Sequence, residues 1–92
     1  SPDELSEKQL IMFLEKLRDV ESVDDHYIQE FIALCGKRIP VKLVEVLLYR
    51  IDSKKNHEDD FVALPYLGFK KIDLNLDDEK IIKILIRKTL FS

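Results

Sequence analysis

RIPVKLVEVLLYRID, residues 38–52, decides how the rest of this chain is read. As a helix beginning at Pro40, it places Lys42, Glu45, Tyr49 and Asp52 on one narrow stripe. Val41, Leu43, Val44, Val46, Leu47, Leu48 and Ile51 then take nearly everything else. Proline suits the first helical position, where its missing N–H would have no intrahelical partner. A strand reading fails, because Glu45 interrupts the alternation begun by Val41 and Leu43 and the run is long for a strand. A helix this apolar must be covered on more than one side. The expectation is a central helix, packed by the preceding helix on one flank and by later segments on the other.

The segments before it supply that preceding wall. In LSEKQLIMFLEKLRDV, residues 5–20, Ser6 and Gln9 fit a capping box, and Leu5 and Leu10 a hydrophobic staple. Leu10, Phe13, Leu14 and Leu17 recur at helical spacing, which predicts a helix from about Glu7 to about Asp19. ESVDDHYIQEFIALCGKR, residues 21–38, predicts a second helix: Asp24 and Asp25 suit its positive end, and Ile28, Phe31, Ile32 and Cys35 form one stripe. Gly36 is expected as a left-handed cap ending that helix, with Lys37 and Arg38 at its carbonyl end. Short links imply that the first two helices lie against each other.

After the charged linker SKKNHEDD, Pro65 and Gly68 break the stretch at about 61–76, which is read as irregular with room for a brief strand. DDEKIIKILIRKTLFS, residues 77–92, predicts a last helix capped by Asp77, with acids at its start and bases at 87 and 88. The fold class expected is therefore all-α: a compact domain of four to five helices spanning 1–92. In helix and link length this pattern resembles stacked helical hairpins of the HEAT or armadillo kind, though no repeat signature residues accompany it. A bundle is the other packing that fits.

Composition narrows the function classes. The chain has 92 residues, enough for one core only. Its net charge of −3 argues against a nucleic-acid binder, since phosphate contacts reward clustered Lys and Arg. A single cysteine, Cys35, excludes an internal disulfide framework and fits an intracellular setting, cytoplasmic or nuclear. The longest uncharged run, FVALPYLGF at 61–69, is too short to span a bilayer. The abrupt start and the apolar ending TLFS suggest a piece of a longer protein.

No catalytic constellation is visible, so no enzyme activity is expected. With only 2 glycines there is no phosphate-cradling loop. Cys35 sits on an apolar stripe and reads as a core thiol. His26 reads as a surface residue, and His57 in NHEDD lacks the spacing of a calcium loop, so neither a metal nor another cofactor is expected. Each paired carboxylate precedes a helical or apolar segment, which helix electrostatics explains.

What remains points to an interaction or scaffold module. Phe61, Tyr66, Leu67 and Phe69, with Leu90 and Phe91, are the candidate partner-binding residues, because aromatic anchors dominate binding hot spots. The competing and simpler reading makes 61–69 a lid over the third helix. The expected partner is another protein or a neighbouring domain of a parent chain, with a second copy of the chain as a further candidate. The alternative is a helix-turn-helix-type nucleic-acid-binding domain in FIALCGKRIPVKLVEVLLYR, with Lys37 and Arg38 as its phosphate contacts. Glu45 and Asp52 on the face that would read DNA weigh against it.

Overall fold

The computed structural model describes residues 4–57 and 60–64, together with Glu79, Lys80, Lys83, Ile84 and Arg87. Its first helix, α1, spans Glu7–Lys16, and the expected capping box is present. The Gln9 amide donates to Ser6 Oγ (3.2 Å), and the Ser6 amide donates to Gln9 Oε1 (2.9 Å). Leu10 and Leu14 are buried, and Leu5 and Leu17 pack against the same core. The helix stops before the expected Asp19. The Leu17 and Arg18 amides turn back to Leu14 O and Glu15 O, and residues 17–19 form a turn. The carbonyls of this turn have another partner, described below.

The second helix, α2, spans His26–Arg38, with Asp25 as its cap. The Asp25 carboxylate accepts from the amides of Tyr27 (2.8 Å) and Ile28 (3.2 Å), satisfying two otherwise unpaired N–H groups. Gly36 does not end this helix as expected. It lies within α2 and is buried, where its missing side chain leaves room for close packing. The reversal falls instead at Ile39, with φ −138° and ψ 58°, which closes α2 and opens α3 (Pro40–Ser53). No left-handed residue is needed at such a link.

Pro40 occupies the first turn of α3, as the sequence predicts. Leu43, Val44, Val46, Leu47 and Arg50 are buried, a recurrence at i, i+3, i+4 and i+7 that marks one broad inward face. Leu48 is half-buried, while Val41 and Ile51 are exposed. The helix is thus walled by both α1 and α2, and each of the three helices touches the other two. Glu15 pairs with Lys42, and Arg18 lies over Tyr49, so α1 and α3 run side by side in the same direction with α2 returning between their ends. The core comprises Leu10, Leu14, Val23, Ile32, Cys35, Ile39, Leu43, Val46 and Leu47.

A 3₁₀ turn, Lys54–Asn56, follows α3. Residues 60–64 then lie as a strap along the α1–α2 link, joined to it by one isolated parallel bridge, Ser22–Val62. Three α-helices are found among the described residues, against the four to five expected. The expected last helix falls mostly outside the described residues; Glu79, Lys80, Lys83, Ile84 and Arg87 have helical backbone, and Lys83 pairs with Glu79 at 3.1 Å.

Leu47 and Ile51 separate the inward and outward faces of α3, being 1% and 44% exposed. Leu47→Ala is expected to cost about 2–5 kcal/mol in urea unfolding, whereas Ile51→Ala changes stability by about 0.5 kcal/mol or less. Equal losses at the two positions would contradict the packing.

Candidate functional site

Among the described residues, the side chain with the most hydrogen bonds is Arg50, which sits one helical turn beyond Val46 and Leu47 on the buried face and is 0% exposed. A guanidinium removed from water must replace its hydrogen bonds, and here main-chain carbonyls do so. Nη1 donates to Leu17 O (2.5 Å) and Val20 O (2.6 Å), with Arg18 O further off at 3.4 Å. Nη2 donates to Val62 O (2.6 Å) and Nε to Ala63 O (2.7 Å). The group is also 4.6 Å from the Phe61 ring, a cation–π arrangement.

Burial lowers the Arg50 pKa from its ordinary value, and the charge of Asp19 opposes that shift. Arginine starts so high that the group stays cationic. No carboxylate forms an ion pair with it among the described residues. Its charge is met by carbonyl dipoles and a ring face, which anchor without offering a reactive group.

Phe61 is buried between two partners. One face meets Arg50, and the other stacks on the His57 imidazole at 4.1 Å and 7°. Lys54 Nζ donates to Phe61 O (2.8 Å), and the Val62 amide donates to Glu21 O (2.7 Å). His57 Nε2 lies 3.5 Å from Asp19 Oδ1, beside a cleft of about 220 Å³ bounded by Asp19, Glu21, His57 and Phe61. Among the described residues no group of three or more His, Cys, Asp or Glu side chains is placed to hold a metal ion.

On the polar stripe of α3, Lys42 engages α1 and Tyr49 the turn that follows it. Lys42 pairs with Glu15, whose carboxyl is held below its ordinary pKa first by that hydrogen bond and then, against its burial, by the charges of Arg18 and Lys42. Arg18 Nε is 2.7 Å from Glu15 Oε2, a charge contact whose angle falls outside hydrogen-bond geometry. The Arg18 guanidinium lies 4.4 Å from the Tyr49 ring, and Tyr49 OH donates to Asp19 (3.3 Å).

At their N-terminal ends α1 and α3 border a groove of about 340 Å³. Ile11, Pro40 and Val41 give it apolar walls, and Glu7, Arg38, Lys42 and Glu45 a charged rim.

Of the residues singled out from sequence, Phe61 is interior, which fits the lid reading of its segment. Tyr66, Leu67, Phe69, Leu90 and Phe91 lie outside the described residues. Lys37 and Arg38 are exposed at the end of α2, with Arg38 Nη1 donating to Leu5 O at 2.5 Å. Lys54 sits at the opposite end of α3, so these bases do not form one patch. Cys35 is fully buried, and desolvation pushes its thiol up to about 12 against a smaller opposing effect of Arg38. His26 is at the surface, 3.1 Å from Glu30.

Sequence reasoning missed Arg50. The available signal was its register, since a base at i+3 from Leu47 and i+7 from Leu43 on an apolar face must either escape to solvent or find acceptors inside. Comparison with family models, with characterised proteins and with solved structures finds no match to this chain.

Replacing Arg50 by Met removes the donors to the carbonyls of five residues and is expected to lower unfolding free energy by about 3–5 kcal/mol; Arg50→Lys is expected to recover only part, because one ammonium cannot span both segments. Urea denaturation measures both. The Cys35 thiol gives a pH signature. Its folded pKa is raised above the unfolded value, so the unfolded chain releases the proton first as pH rises. The associated stability is whole below about pH 9 and is lost as pH climbs toward 12. Cys35→Ala should remove this component, leaving a shallower alkaline decline by at most about 1.4 kcal/mol per pH unit. Parallel alkaline curves for the two proteins would show that the thiol is not protected.

Proposed function

We propose that this domain is a protein–protein interaction or scaffold module without catalytic activity. The observation that carries the reading is the groove between the N-terminal ends of α1 and α3. Its apolar walls and charged rim match the anatomy of a recognition surface, and Val41 on its edge is 42% exposed although it lies in the first turn of the apolar helix α3. Met12, on α1, is 50% exposed, adding apolar surface beyond what the core uses. The titratable groups that catalysis would draw on are otherwise employed: the thiol is interior and protonated, and His57 is stacked on Phe61.

No helix among the described residues is long and apolar enough to cross a membrane. The reading places the domain inside the cell, in keeping with its single buried cysteine. Its partner is another protein or a neighbouring domain of a parent chain, and Tyr66, Leu67, Phe69, Leu90 and Phe91 stay as further candidate contacts. Self-association belongs to the same class and is read by sedimentation of the protein against a Phe91→Glu variant.

The alternative, a helix-turn-helix nucleic-acid binder, draws on the abrupt α2–α3 junction and on exposed Lys37 and Arg38. Against it stands the engagement of Lys42 with α1 and of Tyr49 with the turn after it, which takes up part of the polar face that would enter a groove of DNA.

Affinity capture from cell extract separates the readings. The wild-type domain is expected to retain a specific protein that a Val41→Lys variant, or a Tyr66→Ala/Phe69→Ala variant, loses by about tenfold or more, as expected for a hot-spot anchor. Retention of nucleic acid in a salt-sensitive manner, abolished by Lys37→Glu/Arg38→Glu, would contradict the proposal and establish the alternative.

A further inference from the structure

We propose that residues 60–64 form a releasable latch, closed over a guanidinium fork that stays in place when the latch opens. The contacts of Arg50 divide into two sets. Nη1 is held by the carbonyls of Leu17 and Val20, in a link whose flanks, Leu17 and Val23, pack with the apolar core. Nε and Nη2 form the planar two-donor edge that arginine commonly presents to a carboxylate. Here that edge is occupied by two successive strap carbonyls, Ala63 O and Val62 O.

Among the described residues, the strap has these further holds. Lys54 donates to Phe61 O, the Val62 amide donates to Glu21 O, and the Phe61 ring fills the space between Arg50 and His57. Phe61 is buried, yet it is not a member of the contiguous apolar cluster shared by the three helices; of the strap residues only Leu64 borders that cluster. Lifting the strap therefore breaks polar and aromatic contacts and the edge contact of Leu64, while the mutual packing of Leu10, Leu14, Ile32, Leu43 and Leu47 does not depend on it. Segments secured in this way open at a lower free energy than the whole domain.

Arg50 keeps its Nη1 contacts through the opening, so the fork and the vacated aromatic socket persist as a receptor. Reclosure needs no rebuilding of the core.

Native-state hydrogen exchange of the full chain tests this. The Val62 amide and the Arg50 Nε–H are expected to exchange together, at least about tenfold faster than the amides of Val46 and Leu47, and with little response to low urea. Phe61→Leu should speed Val62 exchange by a further factor of about ten while leaving Val46 and Leu47 within about twofold. A single common rate and urea dependence for Val62 and Leu47 would overturn the proposal, as would equal acceleration of all these amides in Phe61→Leu.

Discussion

A cation enclosed in a protein without a counterion is tolerated only when its N–H groups are met by well-placed acceptors, and Arg50 meets them with the main chain. That requirement propagates through the fold. The turn after α1 must hold the Leu17 and Val20 carbonyls inward, so the helix ends earlier than its side-chain periodicity alone suggests. The strap must return across the end of α3 to bring Val62 O and Ala63 O to the same group. One side chain thus joins three segments, and the sequence distance between its acceptors makes the clasp a tertiary rather than a local feature.

Around this clasp the packing is simple. Three helices share one apolar cluster, and a polar seam of Glu15, Lys42, Arg18, Tyr49 and Asp19 closes the outer side of the α1–α3 contact. The seam is largely at the surface and contributes orientation more than stability, since exposed ion pairs are individually weak. The N-terminal end of the same helix pair, beyond the seam, is left open as the groove on which the interaction reading rests. The clasp lies toward the C-terminal end of α3, so the two features occupy opposite ends of one helix.

Local signals wrote much of this arrangement plainly. Ser6 with Gln9, Asp25 before α2 and Pro40 at the start of α3 each act within one helical turn, and each works as its sequence context implies. The inward face of α3 was legible for the same reason. What escaped depends on distant partners. Gly36 has the position of a helix terminator, but tertiary packing makes it an interior residue, and Ile39 takes the turn instead. Lys42 and Tyr49 look like a solvent stripe until α1 is laid beside them. Arg50 has an unremarked charge in sequence because its acceptors are carbonyls, which every residue carries and no motif announces. The groove was equally hidden, since it arises from how α1 and α3 lie together and not from either helix alone.

The central claim is that the Arg50 guanidinium is a caged, stationary cation. Side-chain ¹⁵N spectroscopy of the intact protein observes it directly. A caged group should give separate, slowly interconverting Nη1 and Nη2 signals, with scalar couplings through the hydrogen bonds to the carbonyl carbons of Leu17, Val20 and Val62. One averaged Nη signal in rapid exchange with water would show a mobile, hydrated arginine and contradict the account.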